Sequence, residues 1–339
     1  VTIGACLIVR DAADSLSACL PPLLAALDEV VVFDIGSTDE TAALAVELGA
    51  RVYLGTWQHD FARARNRALT AMSARWVLSV DADEVAEIDR AGLDTYLEQC
   101  ERDGSVIAAV QRTNHYANQT STRFHTPRLF RRGSAQWQGR AHEILVTTDP
   151  TATSIARCSP TLVRLEHSGY AEATGARVRA ERNVRLAYAE VDHLAADPTT
   201  TRERLACAQL NLGRSLIAID EPAAAVRVLD ALRASAGEDA EGVAIRARST
   251  DYLARIFLAD GGFDTARMLI AELRDHGADS AYCDWLLAQA LAQTGEAERA
   301  AQLLAPITTL VDPSGHEVDA NLLQEFRTLT RALTVALSA

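Results

Sequence analysis

The chain has 339 residues, of which 48% are hydrophobic and 23% charged, with a formal net charge of −13. That length accommodates two domains, and the composition is that of a soluble globular protein. The acidic balance argues against nucleic acid and against a polybasic membrane anchor, and because the chain has no Lys, any cationic side chain that meets phosphate must be Arg.

Residues 2–9, "TIGACLIV", predict a buried strand. A helix is expected from about Ser15, broken or restarted by Pro21 and Pro22. "EVVVFD" (29–34) predicts a second strand, and Thr41 to Leu48 a short helix closed by Gly49. "RVYLGTW" (51–57), Phe61 to Met72 and "WVLSVD" (76–81) predict strand, helix and strand. This alternation implies an α/β domain built on a parallel sheet. Ligands of such sheets bind beyond the carboxyl ends of the strands. Polar clusters fall at those ends: Arg10-Asp11, Asp34 with Gly36-Ser37-Thr38-Asp39, His59-Asp60, and Asp81-Ala82-Asp83-Glu84. Ordinary explanations exist for some. Ser37 with Glu40 fits a capping box, and Asp60 fits an N-cap.

Three carboxylates within four residues repel one another and raise one another's pKa. A helix N-terminus would tolerate them, and so would a divalent cation. In an extended segment Asp81 and Asp83 point the same way, and paired oxygens suit Mn²⁺ or Mg²⁺ shared with substrate phosphates.

Between 93 and 170 the pattern is less regular. Strands are expected at "VIAAVQRT", "RLFRR", "HEILVTT" and "TLVRLEH", with aromatic and basic residues interleaved. That face is either solvated or covers a diphosphate or acceptor. From about residue 180 helical periodicity takes over. Segments 211–229, 252–270 and 286–304 resemble one another when Asp220, Gly261 and Gly295 are aligned, which brings Ala225, Ala266 and Ala300 into register. The intervals predict tetratricopeptide-like helix pairs, whose stacks present a concave surface. An irregular bundle is the plainer alternative.

The six cysteines are scattered without a CxxC pair. Neither a thiolate metal site nor a disulfide framework is expected, and a reducing, cytoplasmic setting is. No apolar run approaches bilayer length, so no transmembrane segment is expected.

The ordered set "GSTDET", "DFARARN", "WVLSVDADE", "RLFRR", "GRAHE", "HSGY" and "ERN" resembles family 2 glycosyltransferases of the GT-A fold. It is similar in particular to the bacterial subgroup with C-terminal tetratricopeptide repeats, which includes lipopolysaccharide-core-type and glycocin peptide S-glycosyltransferases. The resemblance implies a GT-A (Rossmann-like) domain over 1–185 and an all-α repeat domain over 186–339. It implies an inverting, metal-dependent transferase that takes a nucleotide-sugar, with UDP the expected nucleotide, and a peptide, protein or glycan acceptor. Val9 and Asp11 would border the base, Asp34 would bond the base or ribose, and Ser37, Asp60 and Ala82 would join the donor pocket. Arg65 and Asn66 would order that pocket, or merely pack their helix. Asp81 would sit near ribose and metal, Asp83 would be the principal metal ligand, and His167 would complete the metal or diphosphate site. Glu143 is the expected general base, with His142 its rival. Arg128, Arg131 and Arg132 are candidates for the diphosphate, with one or two facing inward, and Tyr170 would close over the site. The family commonly has Asn-Glu-Glu where this chain has Asp11-Ala12-Ala13. The competing functions are a non-catalytic helical scaffold with a degenerate nucleotide domain, and a nucleotidyltransferase. A homodimer through the repeats is a further expectation.

Overall fold

The computed structural model describes residues 1–116, 121–149, 151–152, 155–170, 175–315, 317–318 and 320–337. Strand β1 (Ile3–Val9) lies between β2 (Glu29–Asp34) and β4 (Trp76–Ser79), parallel to both, and β3 (Arg51–Leu54) extends the row beyond β2. Near-continuous apolar runs suit β1, β2 and β4 because both sheet faces are covered. On one face sit α1 (Ala13–Ala26) and α4 (Arg90–Arg102), through Leu16, Leu20, Leu23, Leu93 and Leu97. On the other sits α3 (Phe61–Leu69), through Ala62, Ala64 and Ala68. Helix α2 (Thr41–Glu47) connects β2 to β3.

Beyond β4 the sheet is mixed, an extension that the parallel sheet expected from the first four strands did not include. The order is β3-β2-β1-β4-β7-β6-β11-β5, with β5 (Glu84–Ile88), β6 (Ile107–Tyr116), β7 (Ser121–Arg131) and β11 (Val163–Tyr170). β7 runs antiparallel to β4 and to β6, β11 is parallel to β6, and β5 is antiparallel to β11. A short strand, β10 (Ile155–Arg157), pairs with β6. β8 (Ala135–Gln138) and β9 (Ile144–Thr147) form a separate ribbon.

Three local expectations also change. Helix α1 runs unbroken through Pro21 and Pro22. The carbonyls these prolines leave without an amide partner belong to Ser17 and Ala18, whose exposed positions give them water instead. Strand β3 stops at Leu54. Helix α3 stops at Leu69 because the next three amides bond only three residues back, to Arg67, Ala68 and Leu69.

The chain divides into two compact units, Val1–Ala176 and Arg177–Ala339. The second opens with α5 (Ala176–Ala196) and continues as helix pairs. These are α6 (Arg202–Ile217) with α7 (Pro222–Ser235), α8 (Ala240–Ala259) with α9 (Phe263–Asp275), and α10 (Ser280–Gln293) with α11 (Ala297–Leu304). Helix α12 (Ala320–Leu337) follows. The three aligned turn residues share one conformation, with φ of +63° at Asp220, +80° at Gly261 and +86° at Gly295. Ala225, Ala266 and Ala300 are fully buried, where a methyl group lets the paired helices close. All six cysteines are free thiols, and all but the half-buried Cys207 are buried. No described helix is long and apolar enough to cross a membrane.

Candidate active site

β4 delivers its acids to the carboxyl end of the parallel strands, and the chain turns at once. The Glu84 amide donates to the Asp81 carbonyl at 3.0 Å, and the Asp81 amide donates to Glu84 Oε2 at 2.8 Å. Residues 81–84 therefore form a closed turn rather than an extended segment. Asp81 and Asp83 have different partners, contrary to the simple alternation expected.

Asp81 is gripped by two guanidinium groups: Arg65 Nη2 donates at 2.6 Å and Arg128 Nη2 at 2.8 Å. Arg65 also donates Nη1 to Ser79 Oγ at 2.9 Å and Nε to Glu143 Oε1 at 2.7 Å. The Trp137 ring lies 4.9 Å from the Arg65 guanidinium and 5.9 Å from that of Arg128. Glu84 is fully buried, with Arg112 Nε 2.8 Å from its Oε1. Arg65, Arg112 and Arg128 thus offset Asp81, Glu84 and Glu143. Burial pushes the Asp81 carboxyl up, but Arg128, Arg65 and Arg112 outweigh it and hold the group well below the usual carboxylate range. Burial and then the Asp81 charge raise Glu84, against Arg128 and Arg112.

Asp83 is the open acid of the turn, with its side chain 45% exposed. His167 is buried and brings Nε2 to 3.1 Å from Asp83 Oδ2. Pairing of β11 with β5 places His167 opposite Glu84. The expected trio is therefore split. Asp81 is taken up by arginines, while Asp83 and His167 form a carboxylate–imidazole pair facing the rim. Among the described residues no three His, Cys, Asp or Glu side chains form a metal cage. The donor set fits a cation that takes one or two protein ligands and completes its shell from phosphate and water oxygens.

The β1 and β2 loops are tied to each other. Asp11, at φ +47°, accepts from the Thr38 amide at 2.7 Å and donates its own amide to Ser37 Oγ at 2.9 Å. The Ala12 amide donates to Thr41 Oγ1 at 2.8 Å. Hydrogen bonding to the Thr38 amide lowers the Asp11 pKa. Asp34 is buried, and its Oδ1 accepts from the Gly36 and Ser37 amides at 2.8 and 2.7 Å. Buried Val9 accepts the Ile35 amide at 3.0 Å, and Ala82 packs against the sheet core. No capping box forms, since Glu40 caps α2 without a side-chain bond and Ser37 is committed to Asp11.

Asp60 is the N-cap of α3, accepting from the Arg63 amide at 2.8 Å. Asn66 clamps β8: its Nδ2 donates to the Trp137 carbonyl, and its Oδ1 accepts the Trp137 amide, both at 2.9 Å. Glu143 and His142 follow Gly139 on a loop with positive φ at Gly139 (+102°) and His142 (+53°). Arg131 bonds Asp149 at 3.0 Å, and Arg132 bonds the Ala74 carbonyl at 3.0 Å. Both lie toward the start of β4, away from the acids, so of the three arginines only Arg128 reaches the carboxylate turn. Tyr170 ends β11, and its side chain lies outside the described residues. Sequence reasoning missed Ser79 and Arg112, while Trp137 belongs to the interleaved aromatic and basic stretch expected to be solvated or to cover a diphosphate or acceptor. The only local signal was the i, i+2 spacing of Arg112 and Asn114 in a strand, which puts both on one face.

Residues 5–160 match the family model "Glycosyl transferase family 2". This first unit is a family 2 glycosyltransferase domain. Its mixed sheet has the GT-A arrangement, and α-helical repeats follow it. A TPR repeat-containing protein of Synechococcus elongatus is 44% identical over 82 residues, which are 24% of this chain and 20% of that protein. An uncharacterized glycosyltransferase of Rickettsia felis is 33% identical over 82 residues, 24% of this chain and 29% of its own. The match thus spans less than a third of either relative. Among solved structures, S. aureus TarS in complex with UDP aligns over 82% of this chain and 93% of that one, at 12% identity and TM-score 0.40. Glucosyl-3-phosphoglycerate synthase from Mycobacterium tuberculosis, with Mn²⁺, UDP and phosphoglyceric acid, aligns over 33% and 43%, at 22% identity and TM-score 0.27.

Proposed function

We propose that the glycosyltransferase domain binds a nucleoside diphosphate sugar, UDP-linked, together with Mn²⁺ or Mg²⁺. It transfers the sugar with inversion to a peptide, protein or glycan acceptor. The observation that carries this reading is the division of labour in the carboxylate turn. Asp81 is fixed and ionised by Arg65 and Arg128, while Asp83 stays open beside the buried His167 imidazole. Asp83 and His167 would hold the cation. When bound, it supplies positive charge against the leaving diphosphate. The cross-tied Asp11, Asp34 and Ser37 loops would border the nucleoside, and Arg128 would extend the positive field toward the diphosphate.

Glu143 is the proposed base. Arg65 fixes its Oε1 at 2.7 Å, and its other oxygen accepts no hydrogen bond among the described residues. As the acceptor oxygen attacks the anomeric carbon, its proton passes to that free oxygen. The bond from the anomeric carbon to the diphosphate breaks on the opposite face. Arg65 touches both Asp81 and Glu143, so one side chain sets the positions of the donor-side acid and the base.

Thermal melting against UDP, GDP and ADP, with and without Mn²⁺, tests the donor site. A rise for UDP that needs Mn²⁺ and disappears in Asp83→Ala is expected. That variant should keep the wild-type melting point without ligand and lose transfer. Metal-dependent turnover by Asp83→Ala would sink the assignment. No shift with any nucleotide would move the function to the helical repeats.

A further inference from the structure

Resting on the donor-site reading above, we infer that Asn114 of β6 binds a hydroxyl of the donor sugar and so takes part in choosing it. Asn114 is 6% exposed, and its Oδ1 is buried without a hydrogen-bond partner. Native proteins rarely leave such an acceptor unpaired, because the loss of water is not repaid. Its position gives the reason. Asn114 is the direct ladder partner of His167, which is itself the ladder partner of Glu84. Paired residues of neighbouring strands share a face, so Asn114 stands on the face that carries His167 and Glu84. Arg112, two residues back on the same strand, confirms the facing by reaching Glu84.

The chemistry of the unpaired atom selects its ligand. Oδ1 is an acceptor and needs a donor. A diphosphate at neutral pH offers only acceptors, so it cannot serve. The base and the ribose also carry donors, but the loops proposed for the nucleoside follow β1 and β2. β6 is three strands from β1 in the sheet order, roughly 14 Å at the usual strand spacing. The sugar hydroxyls are the donors nearest a diphosphate held at Asp83 and His167. Without substrate, water fills the place and is displaced on binding.

The test compares Asn114→Ala and Asn114→Leu with the wild type, each with Mn²⁺. Affinities are measured for UDP alone and for UDP-glucose, UDP-galactose and UDP-N-acetylglucosamine. Both variants should bind UDP within twofold of wild type. Both should bind the UDP-sugar that wild type prefers about tenfold more weakly, the effect of one lost hydrogen bond. The melting point without ligand should stay level or rise, at least in the Leu variant, which refills the volume without an unpaired acceptor. Unchanged sugar-nucleotide affinity overturns the inference, as does an equal loss for UDP and its sugars. A large fall in melting point in both variants would make Asn114 structural. Normal UDP-sugar binding with lost turnover would assign it to the acceptor. If wild type binds none of the four nucleotides, the donor-site reading itself has failed.

Discussion

Arg65 concentrates more of the site's electrostatics than any acid in it. Nearly buried, it bonds Asp81, Ser79 and Glu143 and lies over Trp137. Removing one partner of a buried ion pair leaves the other charge uncompensated, at a cost of about 3–5 kcal/mol. Arg65→Ala should therefore lower stability by about that amount in a denaturant titration and abolish transfer. Arg65→Lys should recover part of the stability and little of the activity, because an ammonium cannot reproduce three directed bonds. Asp251 in α8 presents the opposite case. It accepts from the Tyr282 hydroxyl at 2.7 Å, with Arg255 3.7 Å away. Burial pushes its pKa up to about 6, against the pull of Arg255 and Tyr282. A carboxyl whose pKa is higher folded than unfolded binds more protons in the folded state, so stability falls as pH rises from about 4 to about 6 and then levels. Asp251→Asn keeps the acceptor for Tyr282 and cannot ionise. It should be more stable than wild type above pH 6, by about 3 kcal/mol at most, and the gain should vanish near pH 4. Melting both proteins across that range checks the sign.

At the scale of elements, the repeat turns carry a clear expectation. Asp220 occupies the left-handed conformation that glycine fills at Gly261 and Gly295. Asp220→Gly should raise stability by up to about 1 kcal/mol, and Gly261→Ala should lower it by about 1 kcal/mol, both read by chemical denaturation. These turns were legible in the sequence because a positive φ is a local demand with a local residue signature. So were β1, β2 and β4, whose burial on both faces leaves uninterrupted apolar runs. Strand β5 and helix α4 were not legible. β5 follows the turn at Asp81 immediately, and its neighbour β11 lies some eighty residues on. The site divides the same way. The acids at strand ends were visible, but their partners were not, because Arg65 meets Asp81 and Glu143 across separations of 16 and 78 residues. Ser37 misled because its real partner, the Asp11 amide, lies on the neighbouring strand's loop rather than at N3 of its own helix. Asn66 likewise serves β8, 71 residues away.

The whole molecule holds separate hydrophobic cores. One set is built entirely from residues of the first unit, and the other, from Val184 onward, entirely from residues of the second. Calorimetry should accordingly resolve two transitions, of which UDP with Mn²⁺ raises one. A single transition that moves as a whole would show that the units melt together. The thiols offer a second view of the same property. Cys19 on α1 packs its sulfur 3.6 Å from the Asp81 carbonyl, beneath the carboxylate turn, and burial raises its pKa to about 12. Cys283 is buried in the second unit with its pKa raised to about 11. Neither reacts with an alkylating reagent until its surroundings open. The protein thus carries a chemical clock in each half: the alkylation rate of Cys19 times the opening of the catalytic floor, and that of Cys283 times the fraying of the repeats.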